Sequence, residues 1–229
     1  MAYPIELIIF DCDGVLVDSE PLAMRVLVAA LAAQGIVIPT ESAYRDFLGR
    51  SMTTIAASVE ETHGRPLSPR AHQAMRSELY DLYRQELRAN PGLPEVLEKL
   101  TIPFCVASSS IPERISLSLQ VTGLLPFFED HIYSATMVEN GKPAPDLFLH
   151  AAAAMNADPA KCLVIEDSPA GIEAAQAAGM RVFAYLGGGH VVPGGLEKLI
   201  QQLNPDAIFS DMHKLTDLVG SLRTEKKAL

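Results

Sequence analysis

Two aspartates two positions apart, Asp11 and Asp13, follow the apolar run Leu7–Phe10 and precede Gly14. On an extended chain, residues two apart share a face, so both carboxylates point one way and Cys12 the other. A carboxylate so placed can attack phosphorus to form an aspartyl-phosphate, while a second carboxyl protonates the leaving oxygen and later activates water. An arbitrary pair of nearby acids is more often a helix cap or a solvated turn, so the surroundings decide. Ser108 follows a second apolar run, 104–107, and Glu166 and Asp167 follow a third, 162–165. In open α/β sheets, ligands collect beyond the carboxyl ends of the strands, so three segments aim carboxylates and a hydroxyl at one edge. Carboxylates gathered there repel one another. Mg²⁺, held by one or two carboxylates together with substrate phosphate and water, is the common remedy and the expected cofactor.

These residues need a sheet to hold them. Runs too short for helices and rich in Ile, Val and Phe occur at Leu7–Phe10, 104–107, 162–165, 182–185 and Ala207–Phe209, which predicts five buried strands. Helical patterns at 93–100, Pro112–Val121, 145–155 and 169–178 alternate with them. The last has Ser168 as N-cap, Pro169 at the first helical position and Gly179 just past the end. The alternation predicts an α/β fold with a doubly wound parallel sheet.

Residues 19–88 differ: no strand is visible, and four helical segments are punctuated by Gly35, Gly49 and the stretch 64–69. The segment 69–88 places Ala71, Met75, Leu79, Leu82 and Leu87 at spacings near three and four, as an amphipathic helix does. The chain is therefore expected to divide into an α/β core, 1–18 and 89–229, and a small all-helical domain, 19–88, inserted after the first strand. Within the insertion, 22–33 is apolar almost all round and must be covered by the core, by its own neighbours or by another subunit. The oligomeric state does not follow from that.

Composition narrows the function. The chain has 229 residues, 48% of them hydrophobic, an ordinary balance for a folded core. Its formal net charge of −10 would repel nucleic acid or an anionic membrane, so neither is an expected partner. A phosphorylated substrate must then be drawn in by a local positive site. Cys12, Cys105 and Cys162 each lie in a short apolar run, which fits a reduced cytoplasmic protein rather than a disulfide scaffold. No basic-then-apolar leader and no span of about 20 apolar residues is visible.

The run Ile8-Ile9-Phe10-Asp11-Cys12-Asp13-Gly14-Val15-Leu16-Val17-Asp18-Ser19 resembles the first signature of the haloacid dehalogenase-like hydrolase superfamily. Val106-Ala107-Ser108-Ser109-Ser110, Gly141-Lys142-Pro143-Ala144-Pro145-Asp146 and Ile165-Glu166-Asp167-Ser168-Pro169-Ala170-Gly171 resemble its second, third and fourth motifs, in family order. The insertion is similar to the small helical cap of the phosphoglucomutase-like and phosphoglycolate phosphatase-like branch. The resemblance implies Asp11 as nucleophile and metal ligand, and Asp13 as general acid/base with its carbonyl on the metal. It implies Asp167 as a further ligand and Glu166 in the first or second metal shell. Ser108, with Ser109 beside it, would bind a transferring phosphoryl oxygen, and Lys142 would neutralise that oxygen and pair with the carboxylates.

The implied activity is a phosphomonoester hydrolase acting on a small phosphorylated metabolite, in particular a sugar phosphate or sugar-acid phosphate. The enzymatic alternative is a β-phosphoglucomutase-type mutase, in which a sugar hydroxyl rather than water receives the phosphoryl group. Against it, Ala23 and Met52 stand where those mutases carry a cap histidine and an arginine, and Pro112 where they carry asparagine. A non-enzymatic alternative is a catalytically silent binding module, against which the intact motif set speaks. Substrate choice should fall to cap residues: Glu20, Arg45, Arg50 and Ser51 are the candidates, with Arg50 suited to a carboxylate or second phosphate.

Other features attract no role. Gly187-Gly188-Gly189-His190 lacks the helix and acidic partner of a dinucleotide fingerprint and reads as a mobile loop. The six histidines show no metal-ligand spacing, the tail 223–227 reads as frayed, and Cys12 beside two acids reads as an inert thiol.

Overall fold

A computed structural model describes residues 5–48 and 52–224. Strand β1 (Leu7–Phe10) is followed by four helices: α1 (Glu20–Ala33), α2 (Thr40–Phe47), α3 (Met52–His63) and α4 (Pro69–Glu86). Then come α5 (Leu93–Lys99), β2 (Phe104–Ser108), α6 (Pro112–Val121), α7 (Leu125–Phe128), β3 (Ile132–Ser134), α8 (Asp146–Ala154) and β4 (Cys162–Glu166). The chain ends with α9 (Pro169–Ala177), β5 (Arg181–Tyr185), α10 (Val191–Gly194), α11 (Leu196–Gln202), β6 (Ala207–Phe209) and α12 (Leu215–Thr224). Among the described residues no helix is long and apolar enough to cross a membrane.

The six strands form one sheet in the order β3-β2-β1-β4-β5-β6, and every neighbouring pair is parallel. This is the expected doubly wound α/β fold. Alternate strand residues feed two core layers. Ile8, Phe10, Val106, Leu163, Ile165 and Phe183 pack on one face, and Leu7, Ile9, Cys105, Ala107, Val164 and Val182 on the other. The chain winds to opposite sides of β1, so the carboxyl ends of β1, β2 and β4 flank the switch point where such sheets bind ligands.

The structure adds β3, which the sequence does not announce because three residues at a half-buried edge give no run to detect. It also places Ser108 and Glu166 as the last residues of β2 and β4 rather than the first beyond them.

Helices α1 to α4 carry a hydrophobic cluster of their own, built on Leu27, Leu31, Tyr44, Phe47, Ile55 and Met75. The apolar stretch in α1 is covered mainly by this cluster. The join is not clean, because Leu22, Tyr83 and Leu87 pack with the sheet's core instead. The two crossings between insertion and sheet are tied together. Asp18 N–H donates to Arg88 O (3.2 Å) and Asn90 N–H to Leu16 O (3.0 Å). The Asn90 side-chain amide bonds both Gly14 O and Val15 O at 2.8 Å.

Candidate active site

Asp11 is the first residue past β1, fixed by its N–H donating to Ile165 O on β4 (3.0 Å). The chain then turns at Gly14, whose φ of +86° is a glycine conformation, and a Cβ there would fall on the Asp167 carboxylate. The turn thus brings the first and fourth motif segments into contact. Cys12 points the other way, into the core, where burial and the neighbouring Asp13 and Asp11 charges push its thiol pKa up.

Lys142 reaches the same spot from the loop before α8. Its Nζ donates to Asp11 Oδ1 (2.5 Å), Glu166 Oε1 (2.7 Å) and Ala107 O (3.1 Å), and it lies 4.7 Å from the Phe148 ring centre. All three ammonium protons are used. Burial works against the charge on Lys142, but Asp11 and Glu166 outweigh it and raise its pKa. The other oxygen of Glu166 accepts from Asp167 N–H (2.8 Å), Ser168 N–H (2.9 Å) and Ser168 Oγ (2.9 Å). Glu166 therefore joins Lys142 to the start of α9, which the Ser168 hydroxyl caps by accepting from Gly171 N–H (3.1 Å). Ser108 is buried and its hydroxyl accepts from Ser110 N–H (3.1 Å), while Ser109 is exposed at the same turn.

Asp13 has a separate environment. Its carboxylate accepts from Ser19 Oγ (2.6 Å), Ser110 Oγ (2.6 Å) and Arg114 Nη2 (2.9 Å). Burial alone would raise its pKa, but Arg114 and the two hydroxyls more than reverse that and hold it below the usual carboxylate value. Arg114 also lies 3.8 Å from Glu20 and 5.7 Å from the Tyr83 ring centre, so it spans sheet and insertion. Sequence reasoning assigned no role to Ser19, Ser110 or Arg114. A signal existed for Arg114: Pro112 opens α6 at the sheet's carboxyl edge, which puts Arg114 in the first turn facing the site.

Asp11 and Asp13 are thus pushed apart, since burial, with the Glu166, Asp167 and Asp13 charges adding to it, raises Asp11 well above an ordinary aspartate despite Lys142. Asp167 is raised as well, by burial first, with the Glu166 charge adding to it. Two buried carboxyls resisting ionisation beside one another fit a hard divalent cation. Among the described residues no cluster of three His, Cys, Asp or Glu side chains stands ready-made as a metal cage. A site of the Mg²⁺ kind needs none, because substrate and water oxygens fill the remaining positions.

The cap candidates separate. Glu20 is half-buried, 3.8 Å from Arg114. Arg45 is exposed, pairs with its neighbour Asp46 (3.0 Å) and lines a cavity of about 400 Å³ within the insertion, with Val37, Phe47 and Thr62. No catalytic candidate lines that cavity, so the structure does not bring Arg45 to the site. Arg50 and Ser51 lie outside the described residues, as do 225–229 of the tail. Of the mutase-distinguishing positions, Ala23 is half-buried, and Met52 and Pro112 are exposed. The glycine run, read from the sequence as a mobile loop, carries a buried His190 that donates from Nε2 to Asp167 Oδ2 at 2.9 Å.

A buried lysine that clamps Asp11 and Glu166 thus stands at the switch point of a parallel sheet. The family model for haloacid dehalogenase-like hydrolases matches residues 5–179, and the chain belongs to that family. It is 34% identical over 190 residues, covering 82% of this chain and 86% of the other, to 6-phosphogluconate phosphatase from Escherichia coli K12. A haloacid dehalogenase-like protein of unknown function from Agrobacterium tumefaciens C58 superposes with a TM-score of 0.85 at 35% identity, covering 96% and 99% of the two chains. A haloacid dehalogenase family hydrolase from Deinococcus radiodurans R1, solved with phosphate and sodium, gives 0.80 at 29%, covering 96% and 97%. The protein is a hydrolase of the phosphatase type.

Proposed function

We propose that this protein is a Mg²⁺-dependent phosphomonoesterase that cleaves a small phosphorylated metabolite, a sugar phosphate or sugar-acid phosphate, through an aspartyl-phosphate on Asp11. The observation that carries the reading is Lys142 Nζ held at once by Asp11 and Glu166, 2.5 and 2.7 Å away, with Asp13 two residues along the chain. Supporting it are the family membership and the relative named 6-phosphogluconate phosphatase.

Asp11 Oδ attacks phosphorus as the bond to the ester oxygen breaks, and Asp13 gives the departing oxygen its proton. Asp13 then takes a proton from water, which attacks phosphorus, freeing Asp11 and inorganic phosphate. Lys142 and the Ser108 hydroxyl bind the phosphoryl oxygens, and Ser109 lies within reach of the same group. The carboxylates of Asp11 and Asp167 and the Asp13 carbonyl would hold Mg²⁺, with Glu166 behind them keeping Lys142 and Asp167 in place. Bound there, the ion offsets the negative charge of the phosphate and its attacking carboxylate. The arrangement of Asp13 with Ser19, Ser110 and Arg114 favours its carboxylate, so proton donation requires it to leave Arg114.

Residues 19–88 act as a cap that shields the reaction from water, and Glu20 is the specificity candidate best supported by position. Water is the acceptor, since Ala23 and Met52 replace the residues that resemblance to the mutases would require. The three free, buried cysteines suit a cytoplasmic enzyme.

The test is phosphate release from a panel of sugar phosphates, sugar-acid phosphates, phosphoglycolate and nucleotides, with Mg²⁺ or chelator. Metal-dependent release from a few related compounds, abolished in a folded Asp11→Asn variant, is expected. Isomerisation of a sugar phosphate without release would replace hydrolase by mutase, and no conversion at all would replace it by a binding module.

A further inference from the structure

The run Gly187-Gly188-Gly189-His190 has no place in the mechanism above, yet it is built around the metal-site carboxylate. Each glycine stands where a side chain would collide. A Cβ at Gly187 would meet the Tyr185 hydroxyl and the Ser210 carbonyl, and one at Gly188 the His190 ring and the Gly14 carbonyl. A Cβ at Gly189 would press on the Asp18 carboxylate and Pro21. The strap is pinned at both ends: Leu186 N–H donates to Phe209 O (2.7 Å) and Gly189 N–H to Asp18 Oδ1 (2.9 Å). Its product is a single side-chain placement, His190 at 2% exposure with Nε2 2.9 Å from Asp167 Oδ2. The other ring nitrogen, Nδ1, is buried with no hydrogen-bond partner among the described residues. Such an orphan is costly, and an apolar side chain would fill the space without it, so packing does not explain the imidazole. What only the imidazole supplies is the bond to Asp167.

We infer that His190 is a positioning residue of the metal site: by donating from Nε2 it orients the Asp167 carboxylate so that the remaining lone pairs face the ion. This rests on the proposed metal role of Asp167. Hydrogen-bonded partners of ligating carboxylates commonly contribute a factor of about 10–100 in metal affinity.

The experiment is calorimetric titration of Mg²⁺ alone into chelator-stripped full-length protein, comparing wild type with His190→Ala, His190→Gln, His190→Asn and Asp167→Asn. Gln carries its amide N–H near the reach of Nε2, whereas Asn is too short. Mg²⁺ affinity should fall about 10–100-fold in His190→Ala and His190→Asn and recover largely in His190→Gln. Melting curves in chelator report folding separately, and the Gln–Asn comparison decides if the alanine variant does not fold. Equal Mg²⁺ affinity in wild type, His190→Asn and His190→Gln, with Asp167→Asn weakened, overturns the role of His190 and leaves the metal site standing. Unchanged affinity in Asp167→Asn overturns the metal reading, and the inference with it.

Discussion

Arg114 Nη2 lies 2.9 Å from Asp13 Oδ1 and 3.8 Å from Glu20 Oε1, so one guanidinium from the sheet domain faces two carboxylates, one after β1 and one opening the helical insertion. The shorter contact goes to Asp13. Replacing Arg114 by Met should leave Asp13 poorly positioned and lower kcat by about 10–100-fold, part of the roughly 10²–10⁴-fold that acid–base catalysis contributes, with a smaller change in KM. Arg114→Lys should recover only part of this, because a point charge cannot reproduce the planar fork. Steady-state kinetics on the best substrate of the panel checks both.

Acid stability should report the same contact. The Asp13 carboxyl has a folded-state pKa below its unfolded value, so its contribution is fully present above about pH 4 and is lost as pH falls through the folded value. Removing Arg114 takes away the strongest opposition to burial and raises the folded-state value of Asp13 toward or above the unfolded one, so the acid limb of the stability curve should become shallower and shift to lower pH in Arg114→Met. Urea denaturation from pH 7 down to pH 3 measures it, and an acid limb that does not move would count against the pair.

Among the described residues Lys142 is the only cation bonded to both Asp11 and Glu166. Lys142→Met leaves two buried carboxylates without it, a loss of about 3–5 kcal/mol when such a pair is broken and both groups stay charged. Part of this should be relieved by Mg²⁺ and by proton uptake at Asp11. The variant should therefore melt well below wild type in chelator and recover partially on adding Mg²⁺, while phosphate release falls by a factor of about 10²–10³. Melting with and without Mg²⁺ and single-turnover assays test this.

Two helix glycines should respond oppositely to alanine. In α9 a Cβ on Gly171 would fall on the Glu166 carboxylate, so Gly171→Ala must push Glu166 off Lys142 and should destabilise by about 1–3 kcal/mol and depress activity. In α12 nothing among the described residues lies within 4 Å of a Cβ on Gly220, so Gly220→Ala should stabilise by about 0.5–1 kcal/mol through helix propensity and leave activity unchanged. A melting shift of roughly 2–4 °C per kcal/mol is expected for a chain of this size.

All three cysteines should resist alkylation in the native protein. Burial raises Cys12 and Cys105, and Cys162 is pushed up to about 11. A thiol at that value is about one-thousandth ionised at pH 8, so labelling should be slow, with Cys162 the first modified as pH rises. Peptide mass spectrometry after timed iodoacetamide exposure, native against denatured, checks the order.

Most of this molecule was legible in one dimension because the strands at the site are fully buried and the carboxyl end of a parallel strand is the next few letters of the chain. Leu7–Phe10, Asp11, Asp13 and Asp167 could be placed from that alone, as could the all-helical character of 19–88, where strand runs are missing. Lys142 and its tie to the carboxylates came from resemblance of motifs; nothing in its own neighbours distinguishes it from a surface lysine. Tertiary structure decided what depends on distance between remote segments. It took Arg114 to Asp13 across 101 residues and His190 to Asp167 across a glycine run that looked like slack loop. It also left Arg45 paired with Asp46, the next residue in the chain, at a cavity that no catalytic candidate lines. The physical reason is common to all three: side-chain partners of an isolated Arg or His are set by three-dimensional packing and burial, whereas strand order and site edge are set by local hydrophobic pattern that the chain carries wherever it folds.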